Sequence, residues 1–206
     1  MYHGERLNAS THLAGTVLAT GGAVALVMMA LQKADPTRLL SFSIYGVTLT
    51  LLYLASTLYH STQGRVKDVF RKLDYCAIYL VIAGTYTPFA LVALKGRPEG
   101  WTLLWAIWAL ALVGIVQECW VARGKRLTSL VIYVLMGWLA LFTLDPLVAV
   151  LTVKGMTWML GGGIVYTIGI VFYLLDERVA YFHGIWHLFV IAGSAAHYAT
   201  IVGFIA

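Results

Sequence analysis

Seven long apolar segments run through this 206-residue chain and restrict what it can fold into. Each is close to the roughly 20 residues that an α-helix needs to cross about 30 Å of hydrocarbon. Lipid offers no partner for free backbone N–H and C=O groups, so such segments must be helical. The segments are approximately 13–31, 39–59, 73–94, 101–121, 127–147, 157–175 and 183–205. The sequence therefore predicts an all-α integral membrane protein, a seven-transmembrane helix bundle.

The composition supports this class. Hydrophobic residues make up 61% of the chain and charged residues only 11%, whereas a soluble domain carries roughly a quarter charged residues. The net charge of +5 then reflects loops that face a membrane surface, and it does not indicate a nucleic acid partner. The connections between segments are too short to fold alone. We therefore predict one transmembrane domain covering residues 1–206, with membrane lipids as its surroundings.

The loop charges predict an orientation, because cytoplasmic loops carry an excess of Lys and Arg. With the N-terminus inside, nine of these residues fall in inner segments and five in outer segments. The inner residues are Arg6, Arg65, Lys67, Arg71, Lys72, Arg123, Lys125, Arg126 and Arg178. The outer residues are Lys33, Arg38, Lys95, Arg97 and Lys154. This bias favours a cytoplasmic N-terminus and a C-terminus outside.

Three histidines fall at matching depth in this topology. His60 closes the second segment at the inner face, and His183 and His187 open the seventh segment at the same face. Residues four apart lie on one helix face, so the latter pair can reach one ion and His60 can supply a third nitrogen. A lone histidine near a helix end is more often a hydrogen-bonded interfacial residue. Three at one depth favour a metal site.

The predicted metal is zinc, since imidazole suits it and no redox partner is evident. Three protein ligands and one water form an open zinc site of the catalytic type, in which the water pKa can fall to about 7. Other polar residues near segment ends converge on the same face. They are Glu5, Asn8, His12 and Asp74.

Two further residues are candidates for catalysis. Ser56 lies one turn deeper than His60 on the same face, where its hydroxyl could stabilise a developing oxyanion. Asp74 begins the adjacent segment and could act as a general base or orient a ligand histidine. Each also has a structural interpretation, because Ser56 could permit close helix packing and Asp74 could favour a helix start.

Three motifs in order resemble a known family. They are ERLNASTH at 5–12, STLYHS at 56–61 followed by KLDY at 72–75, and HGIWH at 183–187 followed by HY at 197–198. Together they resemble the hemolysin III family, the bacterial branch of the progestin and adipoQ receptor superfamily. The resemblance covers nearly the whole chain and all seven segments, and no motif position departs from the pattern.

The resemblance implies a seven-helix bundle with an intracellular N-terminus and a zinc ion near the inner leaflet. By motif match, the zinc-binding histidines correspond to His60, His183 and His187, the water-contacting aspartate to Asp74 and the motif serine to Ser56. Eukaryotic relatives are linked to ceramide hydrolysis and hormone signalling, and bacterial relatives to hemolysis and to membrane lipid or energy homeostasis. The bacterial resemblance implies the plasma (inner) membrane as the location.

The first functional hypothesis is a zinc-dependent intramembrane hydrolase of lipid amides or esters that contributes to membrane lipid homeostasis. The alternative is a non-enzymatic sensor or regulator of membrane fluidity or energetics. A pore-forming cytolysin is disfavoured, because a secreted toxin must stay soluble before it inserts. A haem carrier is also disfavoured, because histidines on different helices would bracket each haem, and here the paired histidines share one helix face.

Overall fold

The structure, a computed structural model, describes residues 4–120 and 126–206, and these ranges contain helices and no β-strand. The helices are α1 Arg6–Gln32, α2 Pro36–Ser61, α3 Gly64–Pro88, α4 Pro98–Trp120, α5 Arg126–Gly137, α6 Leu144–Leu175 and α7 Phe182–Phe204. A short π-helix, Phe89–Ala93, continues α3, and a 3₁₀-helix, Leu139–Thr143, continues α5. The prediction of an all-α membrane protein is confirmed. Position 121 and the predicted inner charges Arg123 and Lys125 lie outside the described residues.

Within the described residues, six helical segments are long and apolar enough to cross a membrane, one fewer than the seven predicted from the sequence. The difference lies in Leu127–Leu175, which counts as one segment of 49 residues. A continuous helix of that length would extend about 74 Å, more than twice the hydrocarbon thickness. The segment is not continuous, because Thr152 has φ 61° and ψ 172°, a non-helical conformation.

The contacts on either side of Thr152 show that the chain reverses there. Before it, Tyr133 donates a hydrogen bond to the Tyr75 carbonyl oxygen in the middle of α3, and Tyr86 near the end of α3 donates to the Gly137 carbonyl. This part therefore runs alongside α3 in the same direction. The part after Thr152 runs antiparallel to α7, as the next contacts show.

Glycines of α6 lie against α7 in reverse order. Gly155 faces Phe204, and Gly169 faces Trp186. The 49-residue segment is therefore two passes joined at Thr152, which together with the other five segments gives seven. The Asp145-Pro146 pair falls at the end of the predicted segment 127–147, but in the structure it lies in the first turn of α6. Proline is tolerated there because the first-turn N–H groups have no helical partner.

The two termini of the described chain lie at opposite ends of the bundle, as an odd number of passes requires. Glu5 contacts His60 in the last turn of α2, while the Lys33 ammonium just after α1 donates to the carbonyl oxygen of Ala206 at 2.7 Å. The end that contains His60 is called the histidine end below. Its assignment to the cytoplasmic side remains a prediction.

Close helix contacts bring the functional residues together. At Gly184 in α7, an added Cβ would lie 2.5 Å from the Leu7 side chain of α1, so the absence of a side chain lets the two helices approach. Gly84 in α3 likewise lets α3 approach α2, because an added Cβ would overlap the hydroxyl oxygen of Thr48. The first of these contacts positions the N-terminal turns of α1 against the start of α7.

Candidate metal centre

The three histidines singled out in the sequence meet at the histidine end of the bundle. One ring nitrogen from each of His60, His183 and His187 lies within 4.8 Å of the others. The centres of the three rings are 4.7–5.0 Å apart. His60 and His187 are each only 2% exposed. This buried cluster, hereafter the histidine triad, could hold a metal ion.

The Nδ1 atom of each histidine in the triad already has a partner. His60 Nδ1 donates to the Glu5 carboxylate at 2.7 Å, and His183 Nδ1 donates to the Asp176 carboxylate at 2.6 Å. His187 Nδ1 lies 3.1 Å from the carbonyl oxygen of Asn8, which can only accept. These contacts leave Nε2 of each ring available for a metal ion. Histidines that bind metals in proteins typically show the same arrangement, because they donate from the other ring nitrogen to a carboxylate or carbonyl.

The donor set fits a metal ion. His60 Nε2 is buried and has no hydrogen-bond partner among the described residues, although buried polar atoms in proteins are nearly always paired. A cation bound between the three Nε2 atoms would satisfy it. Three neutral imidazoles suit transition metals such as zinc, whereas calcium and magnesium prefer oxygen ligands.

The Glu5 carboxylate accepts hydrogen bonds from His60 and from two other side chains. One carboxylate oxygen accepts from His60 and from the Asn8 amide at 2.9 Å, and the other accepts from the Lys67 ammonium at 2.9 Å. Partial burial by itself would raise the pKa of Glu5, but hydrogen bonds from these three donors lower that pKa below its ordinary value. Glu5 is therefore a carboxylate that holds the His60 ring and fixes its tautomer.

Asp74 and Ser56, the two candidates for catalysis, are buried at the same end. Ser56 is 1% exposed and Asp74 is 9% exposed. The two interact between α2 and α3, but Ser56 Oγ has no well-formed hydrogen bond within the described part of the chain. Both side chains line the cavity that His183 and His187 also line.

That cavity has a volume of about 180 Å³ and runs between the helices, and it is partly open because exposed Leu141 is among its lining residues. His12, Ser56, Asp74, His183 and His187 line its histidine end, and most of the remaining lining is apolar. Along α3 it extends from Asp74 to Tyr86, a rise of about 18 Å in a helix. The arrangement places the histidine triad, which could hold a metal ion, and a buried carboxylate at one end of a mainly apolar cavity.

Sequence reasoning missed the residues behind the ligands. Asp176 and the Asn8 carbonyl oxygen hold His183 and His187, and neither was assigned such a role. The only signal for Asp176 was a carboxylate at the end of an apolar segment, which interfacial charges also give. His197, the histidine of the HY motif at 197–198, is not part of the triad. It instead packs near Gly162 and Tyr166.

The fold and the site define a class of protein: a helical membrane protein with a buried histidine triad at one end of an internal cavity. Comparison with known sequences gives the family. Residues 1–198 match the family described as "Haemolysin-III related". The chain belongs to this family, which confirms the resemblance drawn from the three motifs.

Individual relatives agree with this assignment. The chain is 42% identical to "Hemolysin-3" of Bacillus cereus over 202 residues, covering 98% of this chain and 91% of that protein. It is also 42% identical to "Hemolysin-3 homolog" of Bacillus subtilis (strain 168) over 199 residues, 96% of this chain and 92% of that protein. A more distant match is the human "Monocyte to macrophage differentiation factor", 29% identical over 167 residues, 77% of this chain and 67% of that protein.

Proposed function

We propose that this protein is a zinc-dependent hydrolase of lipid amides or esters in the bacterial inner membrane. The observation that carries the proposal is the histidine triad with each Nδ1 occupied, located where an apolar cavity meets Asp74 and Ser56. His60, His183 and His187 would hold the ion. When bound, zinc supplies a Lewis acid that polarises a carbonyl and lowers the pKa of water.

The apolar cavity favours a lipid substrate. A chamber lined by side chains such as Ile78, Ile82 and Leu103 excludes water and suits an acyl chain. The polar head of such a lipid would then lie at the histidine end, where the charged and hydrogen-bonding groups are. Turnover of lipid amides or esters at this position would contribute to membrane lipid homeostasis.

Asp74 and Ser56 have complementary roles in this proposal. Asp74 accepts the proton of the attacking water and returns it to the leaving amine or alcohol, as a general base and then a general acid. The Ser56 hydroxyl, which lies beside Asp74, would donate to the oxygen on which negative charge develops. Both side chains line the cavity, so neither would have to move out of the protein interior to reach the substrate.

The test combines metal analysis with a hydrolysis assay. Purified wild-type protein should hold about one zinc per chain and release fatty acid from one member of a panel of N-acyl and O-acyl lipids. His187→Ala should lose both the zinc and the hydrolysis. Asp74→Asn should keep the zinc and lose the hydrolysis. His197→Phe is the matched control for metal content, because it removes a half-buried α7 histidine that is not in the triad.

Two results would contradict the proposal. Full zinc occupancy in His187→Ala would reject the site. Full zinc occupancy in a wild-type protein that hydrolyses no lipid of the panel would reject the reaction and favour the alternative of a metal-containing membrane sensor.

A further inference from the structure

His12 in α1 lies beside the histidine triad, and the proposed function gives it no role. It is 4% exposed and packs between two aromatic rings. Its ring is stacked on His187, with centres 3.5 Å apart and planes at 12°, and Tyr53 packs against it edge-on at 5.1 Å. Among the described residues, neither Nδ1 nor Nε2 of His12 has a hydrogen-bond partner.

Two unpaired nitrogens at a buried position require an explanation. A neutral imidazole has one donor and one acceptor, and burying either without a partner is unfavourable. Phenylalanine would make the same stacking contacts without that penalty. The polar ring at this position therefore indicates a hydrogen-bond partner that is not a side chain of the described protein.

A bound metal ion is not that partner. In two stacked, nearly parallel imidazoles the nitrogen lone pairs lie in parallel planes, so they cannot converge on one ion at about 2.0–2.1 Å. His12 is accordingly absent from the cluster formed by His60, His183 and His187. Metal binding would satisfy His60 Nε2 and leave both His12 nitrogens unpaired.

The cavity supplies the remaining possibility. His12 lines it together with Ser56 and Asp74, at the end where the histidine triad lies. A compound that enters the cavity with its acyl chain along the apolar wall would bring its polar head to these side chains. An amide with a hydroxyl-bearing head carries both donors and acceptors, which match the two functions of a neutral imidazole.

We propose that His12 is a substrate-binding residue that forms a hydrogen bond with the amide or hydroxyl head of a lipid bound in the cavity. This rests on the proposed function for the class of compound, but it concerns binding rather than hydrolysis. His12 discriminates between lipid heads: it favours those with a hydrogen-bond donor over simple esters, which can only accept.

The test measures binding in a background in which the probe is not consumed. Zinc-loaded Asp74→Asn protein in nanodiscs is titrated with N-dodecanoylethanolamine, which has donors and acceptors, and with methyl dodecanoate, which has acceptors only. His12→Phe should weaken binding of the amide about tenfold, as expected for one lost hydrogen bond. It should change binding of the ester much less. His12→Gln should restore part of the difference, because glutamine also has a donor and an acceptor.

Metal content separates this role from a structural one. His12→Phe and His12→Gln should both retain the metal of the parent protein, and Thr16→Val, one turn further along α1, should retain both the metal and the affinity for the amide. Equal binding of the amide to the parent and to His12→Phe would overturn the proposal. So would loss of metal from both His12 variants, or failure of the parent to bind the amide at all.

The outcome is independent of whether the protein is a hydrolase. If wild type binds the amide through His12 but hydrolyses nothing, the binding role stands and the proposed reaction fails. If wild type hydrolyses lipids and the amide affinity does not depend on His12, the reaction stands and the binding role fails.

Discussion

Glu5→Gln tests whether the carboxylate behind His60 contributes to metal affinity. The substitution keeps the size of the side chain and one acceptor oxygen, but it removes the charge and places an amide group where the second oxygen accepts from Lys67 at 2.9 Å. Removing such an outer partner of a ligating histidine typically weakens metal binding about 10–100-fold, or about 1.4–2.7 kcal/mol. Because the Glu5 side chain is 21% exposed, solvent screening reduces the effect, and we expect about tenfold.

The assay is a zinc titration against a competing fluorescent chelator, with the protein in nanodiscs at constant pH and ionic strength. Glu99→Gln is the control, because this carboxylate lies in the first turn of α4, away from the histidine triad. Lys67→Met gives a test of opposite sign. It removes a positive charge from the vicinity of the cation and should leave zinc affinity unchanged or raise it. Equal zinc affinity in wild type and Glu5→Gln would refute the reasoning.

Two other predictions concern packing and thiol chemistry. Gly84→Ala should destabilise the protein by about 1–3 kcal/mol, because the added Cβ would meet the Thr48 side chain. Gly21→Ala is the control, because nothing lies within 4 Å of its added Cβ, and it should leave the Tm in detergent unchanged or slightly higher. Equal Tm values for the two variants would contradict this. Cys76 and Cys119 have sulfur atoms 3.9 Å apart, so an added two-electron oxidant should join them in a disulfide bond within one chain. Labelling with a maleimide should then detect no free thiol. Two thiols remaining after oxidation would contradict the geometry.

The positions of the three histidines of the triad follow from local spacing, which is why the sequence alone indicates them. His183 and His187 share a helix face at any tertiary arrangement, and His60 ends a segment whose depth is set by the membrane. The partners behind them do not follow from spacing. The contact between His60 and Glu5 depends on how α1 packs against α2, and the contact between His187 and the Asn8 carbonyl depends on the approach of α1 to α7.

The turn between the fifth and sixth passes shows another limit of sequence reasoning. Asp145-Pro146 looked like the end of a helix, but proline in a first turn is compatible with a helix start, so the same dipeptide fits both. The actual break is at Thr152, which is neither glycine nor proline. Because a threonine with positive φ is uncommon, the sequence did not indicate a break at this residue. Tertiary packing of α6 on α7 fixes the reversal.

The packing of α1 against α7 determines when the histidine triad can form during synthesis. Glu5 and Asn8 leave the ribosome long before His187, so the hydrogen bond between the Asn8 carbonyl and His187 closes only after the seventh helix has been made and inserted. A metal ion held by the triad would therefore enter a completed bundle rather than a growing chain. Zinc occupancy of the isolated protein should accordingly report the fraction of molecules in which all the helices have assembled.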